Sequence, residues 1–126
     1  MLDDRRVYAT IPASDMDRAR RWYSEKLGLV PVGEEQFGAV YRAAGGTVFL
    51  LYPTANAGQA PNTLMAFSSS DLRSDVEALR ARGVVFEEYD VPGLKTENGI
   101  ARLGPYESAW FKDSEGNILA IGSEPV

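Results

Sequence analysis

Histidine and cysteine are both missing from this chain. Without cysteine there is no disulfide, no thiolate nucleophile and no Cys-based metal site, a composition that suits a cytoplasmic protein. Without histidine, the commonest metal ligand and the commonest general base are lost together. Basic residues are outnumbered, with 13 Lys and Arg against 18 Asp and Glu. The formal charge of −5 argues against nucleic acid as a partner, since that requires a basic face. Long apolar runs are missing too. None approaches the roughly 18 residues of a membrane span, and no basic-then-apolar leader opens the chain, so a membrane is not expected as a partner. What remains is 126 residues, 44% of them apolar, which reads as one domain over residues 1–126 with a proper core.

The chain says nearly the same thing twice. Val7-Tyr-Ala-Thr-Ile-Pro-Ala-Ser-Asp15 precedes a helical run that leaves through Leu27-Gly28-Leu-Val. Leu64-Met-Ala-Phe-Ser-Ser-Ser-Asp71 precedes another that leaves through Arg82-Gly83-Val-Val. Asp15 lies 13 residues before Gly28, and Asp71 lies 12 before Gly83. A repeat of this length means two similar supersecondary units that share one core.

The first unit covers residues 5–52. Arg6 to Ile11 reads as a strand. Ser14 is the expected N-cap, with Asp15 and Asp17 in the first turn. Met16, Ala19, Trp22, Tyr23 and Leu27 recur at helical spacing, and Gly28 ends the helix. Arg18, Arg20 and Arg21 read as its solvated face. Leu29 to Val32, Phe37 to Ala43 and Thr47 to Tyr52 read as strands, with a turn at Ala44-Gly45-Gly46. Residues 53–62 are a polar linker. The second unit, 63–122, repeats the order. Thr63 to Ser68 is a strand and Asp71 to Arg82 a helix. Val84 to Glu88, Ile100 to Lys112 and Asn117 to Ile121 are strands. Val91 to Gly99 is a loop, and Asp113-Ser-Glu-Gly116 a tight turn. Each unit is then β-α-β-β-β.

These two units, the Ser-Asp helix starts, the Leu27-Gly28-Leu29 exit and the closing run Ala109-Trp-Phe-Lys-Asp-Ser-Glu-Gly-Asn-Ile-Leu-Ala-Ile121 together resemble the vicinal oxygen chelate superfamily. This is the glyoxalase, bleomycin-resistance and extradiol-dioxygenase group. The closing run is similar to its Phe-x-Asp-Pro-Asp-Gly-Asn pattern, departing at Ser114 and Glu115. The resemblance implies an α+β fold in which two βαβββ units form a cup-shaped mixed sheet, with helices outside and ligand inside. It also implies where a metal would sit. Metal-using members carry His seven residues before each helix-start Asp, a Glu four after the turn Gly, and in some cases a ligand on the strand before the linker. Those positions hold Tyr8, Leu64, Ala120 and Leu50. A neutral phenol is a poor ligand for Zn, Ni or Fe(II), and the other three offer none. No metal and no cofactor are expected.

Alternation along each strand then suggests what faces into the cup. From the vacated ligand positions it predicts Tyr8, Thr10, Leu50 and Tyr52. Pairing across the Ala44-Gly45 turn adds Phe37, Ala39 and Tyr41. The second unit adds Leu64, Tyr106, Ser108, Trp110 and Ala120. Phe49, Phe67, Phe111 and Leu119 fall on the opposite side, as core. Such a box of aromatic faces suits a flat aromatic or cationic organic molecule. No nucleophile, base and orienter stand together; Glu34-Glu35 and Glu87-Glu88 read as solvated pairs. The resemblance therefore implies binding without metal, as in the antibiotic-sequestering branch. The alternatives are a glyoxalase- or dioxygenase-like lyase or isomerase without the usual ligands, and a structural subunit. Members of the group commonly pair, so a homodimer is expected, with Trp22 as a candidate anchor.

Overall fold

The computed structural model describes Met1–Val126. Its strands are β1 (Ala9–Ala13), β2 (Gly33–Glu35), β3 (Gly38–Arg42), β4 (Val48–Pro53), β5 (Thr63–Ser68), β6 (Asp90–Val91), β7 (Leu94–Glu97), β8 (Ile100–Leu103), β9 (Tyr106–Lys112) and β10 (Ile118–Gly122). Helix α1 spans Met16–Leu27 and α2 spans Leu72–Ala81. One sheet runs β1-β4-β3-β2, the other β5-β10-β9-β8-β7-β6. In each, the strand before the helix pairs in parallel with the last strand of its unit, and the remaining pairings are antiparallel. The fold is the expected α+β arrangement of two helix-bearing units, the first βαβββ and the second with two further strands, and the sheets approach each other at β1 and β5.

Both helices begin on aspartate. Asp15 Oδ1 accepts from the Arg18 N–H at 3.0 Å and Asp71 Oδ1 from the Ser74 N–H at 3.3 Å. Asp15, not Ser14, is therefore the N-cap of α1. The Ser14 hydroxyl is drawn away to Glu115. Gly28 ends α1 at φ 68°, where a side chain would be strained.

Three corrections fall in the second unit. The single strand expected over Ile100 to Lys112 is two, because Leu103 pairs with Tyr106 across Gly104-Pro105. Gly104 has φ 63°, and Pro105 has no N–H to give to a ladder. The expected loop over Val91 to Gly99 contains part of a hairpin, β6–β7, turned at Pro92-Gly93 and continued into β8 through Asn98-Gly99. The expected strand Val84 to Glu88 makes only one bridge, Phe86 to Phe111. In the first unit, the strand expected over Leu29 to Val32 is not formed; β2 lies just after it, at Gly33–Glu35.

The core lies between the helices and one face of each sheet. Ile11, Tyr23, Tyr41, Phe49, Leu51, Val76, Phe111 and Leu119 are at most 4% exposed. Trp22 is half-buried in this core, stacked at 6.2 Å on Phe111 and edge-on to Tyr23, so its ring packs inside its own chain.

The two units are stitched by one turn. Asp113, Glu115 and Asn117 are 6%, 7% and 1% exposed. The Tyr23 O–H donates to Asp113 Oδ2 at 2.7 Å. Asn117 Nδ2 donates to the same oxygen and to Pro12 O of β1, and its Oδ1 accepts from the Gly58 N–H in the linker. Gly58 has φ 75°, and a β-carbon there would collide with the Glu115 carbonyl. Glu115 accepts from the Asp15 N–H at 2.8 Å, from Arg18 Nε at 2.9 Å and Nη2 at 3.0 Å, and from both Ser14 and Ser114 hydroxyls. Arg18, though its side chain stays 47% exposed, is thus a tie between units as well as part of the helix's outer face. Arg20 is also engaged, gripping Glu34 through Nε and Nη2.

Burial alone would raise the Glu115 carboxyl; Arg18, the Asp15 N–H and Ser114 outweigh it and hold it at about 2. Because the folded value lies below the ordinary 4.5, this group stabilises the fold above pH 4.5 and that contribution disappears as pH falls toward about 2. For Asp113 burial dominates and raises the carboxyl, which acts in the opposite sense. Glu115→Gln is expected to cost about 2 kcal/mol in urea unfolding at neutral pH. It should also flatten the loss of stability below pH 4.5 relative to the parent. An unchanged acid limb would show that another group sets it.

Candidate functional site

The face of each sheet turned away from the helices is the candidate site. Cross-strand pairing decides which residues belong to it, since partners share a face. In the first sheet Leu50 pairs with Thr10 and with Val40, and Tyr52 with Pro12. Thr10 is exposed, and Leu50 and Tyr52 are half-buried. Tyr8, just before β1, and Phe37, in the β2–β3 turn, are 56% and 55% exposed. Tyr8, Phe37, Val48 and Leu50 together line a concavity of about 310 Å³.

Tyr41 does not belong there. It pairs with Phe49, and Ala39 pairs with Leu51, so both share the core face. Tyr41 is 0% exposed, stacked at 4.9 Å and 5° on Phe49, and 5.7 Å from Tyr23. The expectation fails because the pairing across the Ala44-Gly45 turn is one residue out of step with it: Arg42 meets Val48 and Val40 meets Leu50, which puts Tyr41 and Ala39 on the core face. The Tyr41 hydroxyl is buried with no hydrogen-bond partner, and burial pushes its pKa up to about 12.

In the second sheet Trp110 pairs with Ala120, and Ala120 with Ala66. Flanking Phe111 and Ala109 are fully buried in the core, so the half-buried Trp110 lies on the open face. Its orientation is held from several sides. The indole Nε1 donates to Thr63 Oγ1 at 3.1 Å. Tyr89 meets it edge-on, with centroids 5.6 Å apart and planes at 83°. The Glu87 N–H donates to the Trp110 carbonyl at 2.8 Å. Tyr89 and Glu87 were not singled out as site residues; Glu87 lies in the segment expected to be a regular strand and Tyr89 just after it. Burial raises the Tyr89 phenol, and the Glu87 charge adds to the shift.

The remaining expected residues divide. Tyr106 is 37% exposed at the start of β9. Ser108 is only 4% exposed and its hydroxyl is directed to the Ile121 carbonyl, so it is not offered to a ligand. Ala120 is covered, at 5%. Leu64 is a further correction. The β5–β10 register shifts beside it, leaving it without a partner, and it packs against the core. Glu107 faces the helix side, where Arg73 of α2 holds it at 2.7 Å. The structure thus brings Tyr8, Phe37 and Leu50 into one concavity, while Trp110 and Tyr106 lie outside it on the other sheet.

The positions at which metal-using members carry ligands do not fit a metal here. Tyr8, Leu50, Leu64 and Ala120 supply one neutral phenol, and no group of three or more Asp or Glu side chains is arranged to hold an ion. The open face presents aromatic rings, aliphatic floor and hydroxyls.

For Tyr41, loss of the hydroxyl removes an unsatisfied buried group. Tyr41→Phe should therefore leave the melting temperature unchanged or raised, while Tyr41→Ala should cost about 3–5 kcal/mol. A clear loss of stability in Tyr41→Phe would reveal a partner for that oxygen.

Comparison with known proteins agrees with this architecture. The family model for the Glyoxalase/Bleomycin resistance protein/Dioxygenase superfamily matches residues 5–121. Among solved structures, UcmS2 is similar at 18% identity and a TM-score of 0.72, covering 93% of this chain and 96% of that one. A glyoxalase/bleomycin resistance protein from Catenulispora acidiphila aligns at 22% identity and a TM-score of 0.65, with coverages of 94% and 97%. TnmS3, an antibiotic binding protein from a Streptomyces species, aligns at 21% and a TM-score of 0.59, with coverages of 89% and 88%. No curated protein matches. No helix is long and apolar enough to cross a membrane. With a family model spanning nearly the whole chain and a βαβββ repeat under it, this chain belongs to the glyoxalase/bleomycin-resistance/dioxygenase superfamily.

Proposed function

We propose that this protein binds a small, flat aromatic or cationic organic molecule on its open face, without metal and without chemistry, in the cytoplasm. One observation carries the reading. Tyr8, Phe37 and Tyr106 stand 56%, 55% and 37% exposed on a face that no helix covers. Exposed apolar surface of this kind marks a place where something binds. The fixed Trp110 ring supports the same reading, because a stacking surface held before the ligand arrives loses little freedom on binding. The chemistry of the four family ligand positions supports metal independence. TnmS3, an antibiotic binding protein, adds a precedent on a similar fold.

The same exposed surface supports a homodimer. Val30 and Val32, at 62% and 55%, add exposed apolar area to the first unit. Light scattering at micromolar concentration should give twice the 13.8 kDa chain mass. A monomer at that concentration would remove the dimer from the reading.

The binding reading is tested by a thermal-shift and fluorescence screen with aromatic amines and aromatic antibiotics. A binder should quench or shift Trp110 emission, with the response lost in Trp110→Phe and retained in Trp22→Phe. Trp110→Ala should weaken that binder by about 1–3 kcal/mol. If no compound shifts the parent and Trp110→Ala merely unfolds, at about 3–5 kcal/mol, the ring is structural and the reading fails.

A further inference from the structure

The two units differ most where they should match. Residues 43–47 occupy in the first unit the place that 113–117 occupy in the second. Each leads into the last strand of its unit, and the Ala43 N–H donates to Thr47 O at 2.9 Å just as the Asp113 N–H donates to Asn117 O at 3.0 Å. In the second unit Asp113, Glu115 and Asn117 fill the space against α1 with side chains. Their counterparts are Ala43, Gly45 and Thr47. Tyr23 lies eight residues after the cap Asp15, and its counterpart, eight after the cap Asp71, is Leu79. A phenol hydrogen-bonded to a carboxylate is therefore replaced by a leucine facing an alanine. The volume of the missing groups is left as a cleft.

That cleft measures about 420 Å³ and lies between the two helices. Ala43 and Ala44 form one wall, Leu27 and Leu29 another, and Phe67 and Leu79 are half-buried within it. Phe67 pairs with Ile121, on the side opposite Trp110 and Ala120, so the cleft is separate from the open face. Two cations stand at its rim. Lys26 Nζ donates to the Arg82 carbonyl at 2.9 Å, and Arg82 Nη1 reaches the Glu25 carbonyl at 3.5 Å. Neither forms an ion pair with any carboxylate. The one acidic side chain in the lining, Asp75, is already occupied by the Ser69 hydroxyl.

We propose that this cleft binds a small hydrophobic carboxylate, with its apolar body over Phe67 and Leu79 and its carboxylate at Lys26 and Arg82. The volume falls in the range of small-molecule sites, and the walls are apolar with few polar groups at one end. A carboxylate is the complement of two cations bound only to neutral carbonyls. A neutral amphiphile of the same length would leave them as they are.

Octanoate, with 1-octanol as its uncharged match, tests the assignment on the 15N-labelled chain. Octanoate is expected to shift the amides of Leu27, Leu29, Phe67 and Leu79 saturably and to bind more tightly than octanol. Lys26→Gln combined with Arg82→Gln should weaken octanoate roughly tenfold and leave octanol unchanged. Because those side chains also meet helix-end carbonyls, Ala78→Trp supplies an independent check. It fills the cleft with an indole while keeping both charges and should abolish octanoate binding. Four results would each overturn the proposal: no saturable shift, equal affinity for octanoate and octanol, binding that survives Ala78→Trp, or shifts centred on Trp110 and Tyr8.

Discussion

Glu115 carries a charge on a side chain with no exposed surface, and that charge is met by groups from the other end of the chain. Removing an ion from water costs several kcal/mol unless hydrogen bonds and an opposite charge replace the water. Here the replacement comes from the first turn of α1: the Asp15 N–H, the Ser14 hydroxyl and the Arg18 guanidinium. Next to it, Asp113 takes the Tyr23 hydroxyl from the same helix, and Asn117 spans β1 and the linker. The β9–β10 turn can be buried only when α1, β1 and the linker are in place around it. This is the constraint that sets the two units against each other, and the position of both open faces follows from it.

The repeat is symmetric in backbone and asymmetric in side chains. Both units cap their helix with aspartate, pair their first and last strands in parallel, and close the turn before the last strand with the same backbone hydrogen bond. One turn then carries Asp113, Glu115 and Asn117, and the other Ala43, Gly45 and Thr47. The polar turn welds the units; the small one leaves room. A similar asymmetry marks the sheets. The second is extended by the β6–β7 hairpin, and the segment leading into it brings Glu87 and Tyr89 against Trp110.

Much of this was legible residue by residue. The two helices, the Gly28 stop, the strand Thr63–Ser68 and the helix-facing Phe49, Phe111 and Leu119 follow from local chemistry and alternation. The hairpins of the second unit were also written in the chain, as Pro92-Gly93, Asn98-Gly99 and Gly104-Pro105. Reading past those turns merged two strands into one and left a hairpin as loop. Tyr41 and Leu64 were misplaced for a different reason. Register is reset by any turn or bulge, and neither the pairing across residues 43–47 nor the slip beside Leu64 is defined by sequence alone.

The sequence by itself determined the repeat, the α+β units and the absence of imidazole and thiol chemistry, because these rest on composition, period and capping, all local quantities. Tertiary structure decided which aromatic rings are core and which stand open. It made Arg18 and Glu115 a tie between units, and brought Tyr89 to Trp110 and Thr63 to its indole nitrogen. Those pairings join residues 21 to 97 positions apart. Their contact depends on register and on how the two sheets close around one turn, which no local pattern encodes.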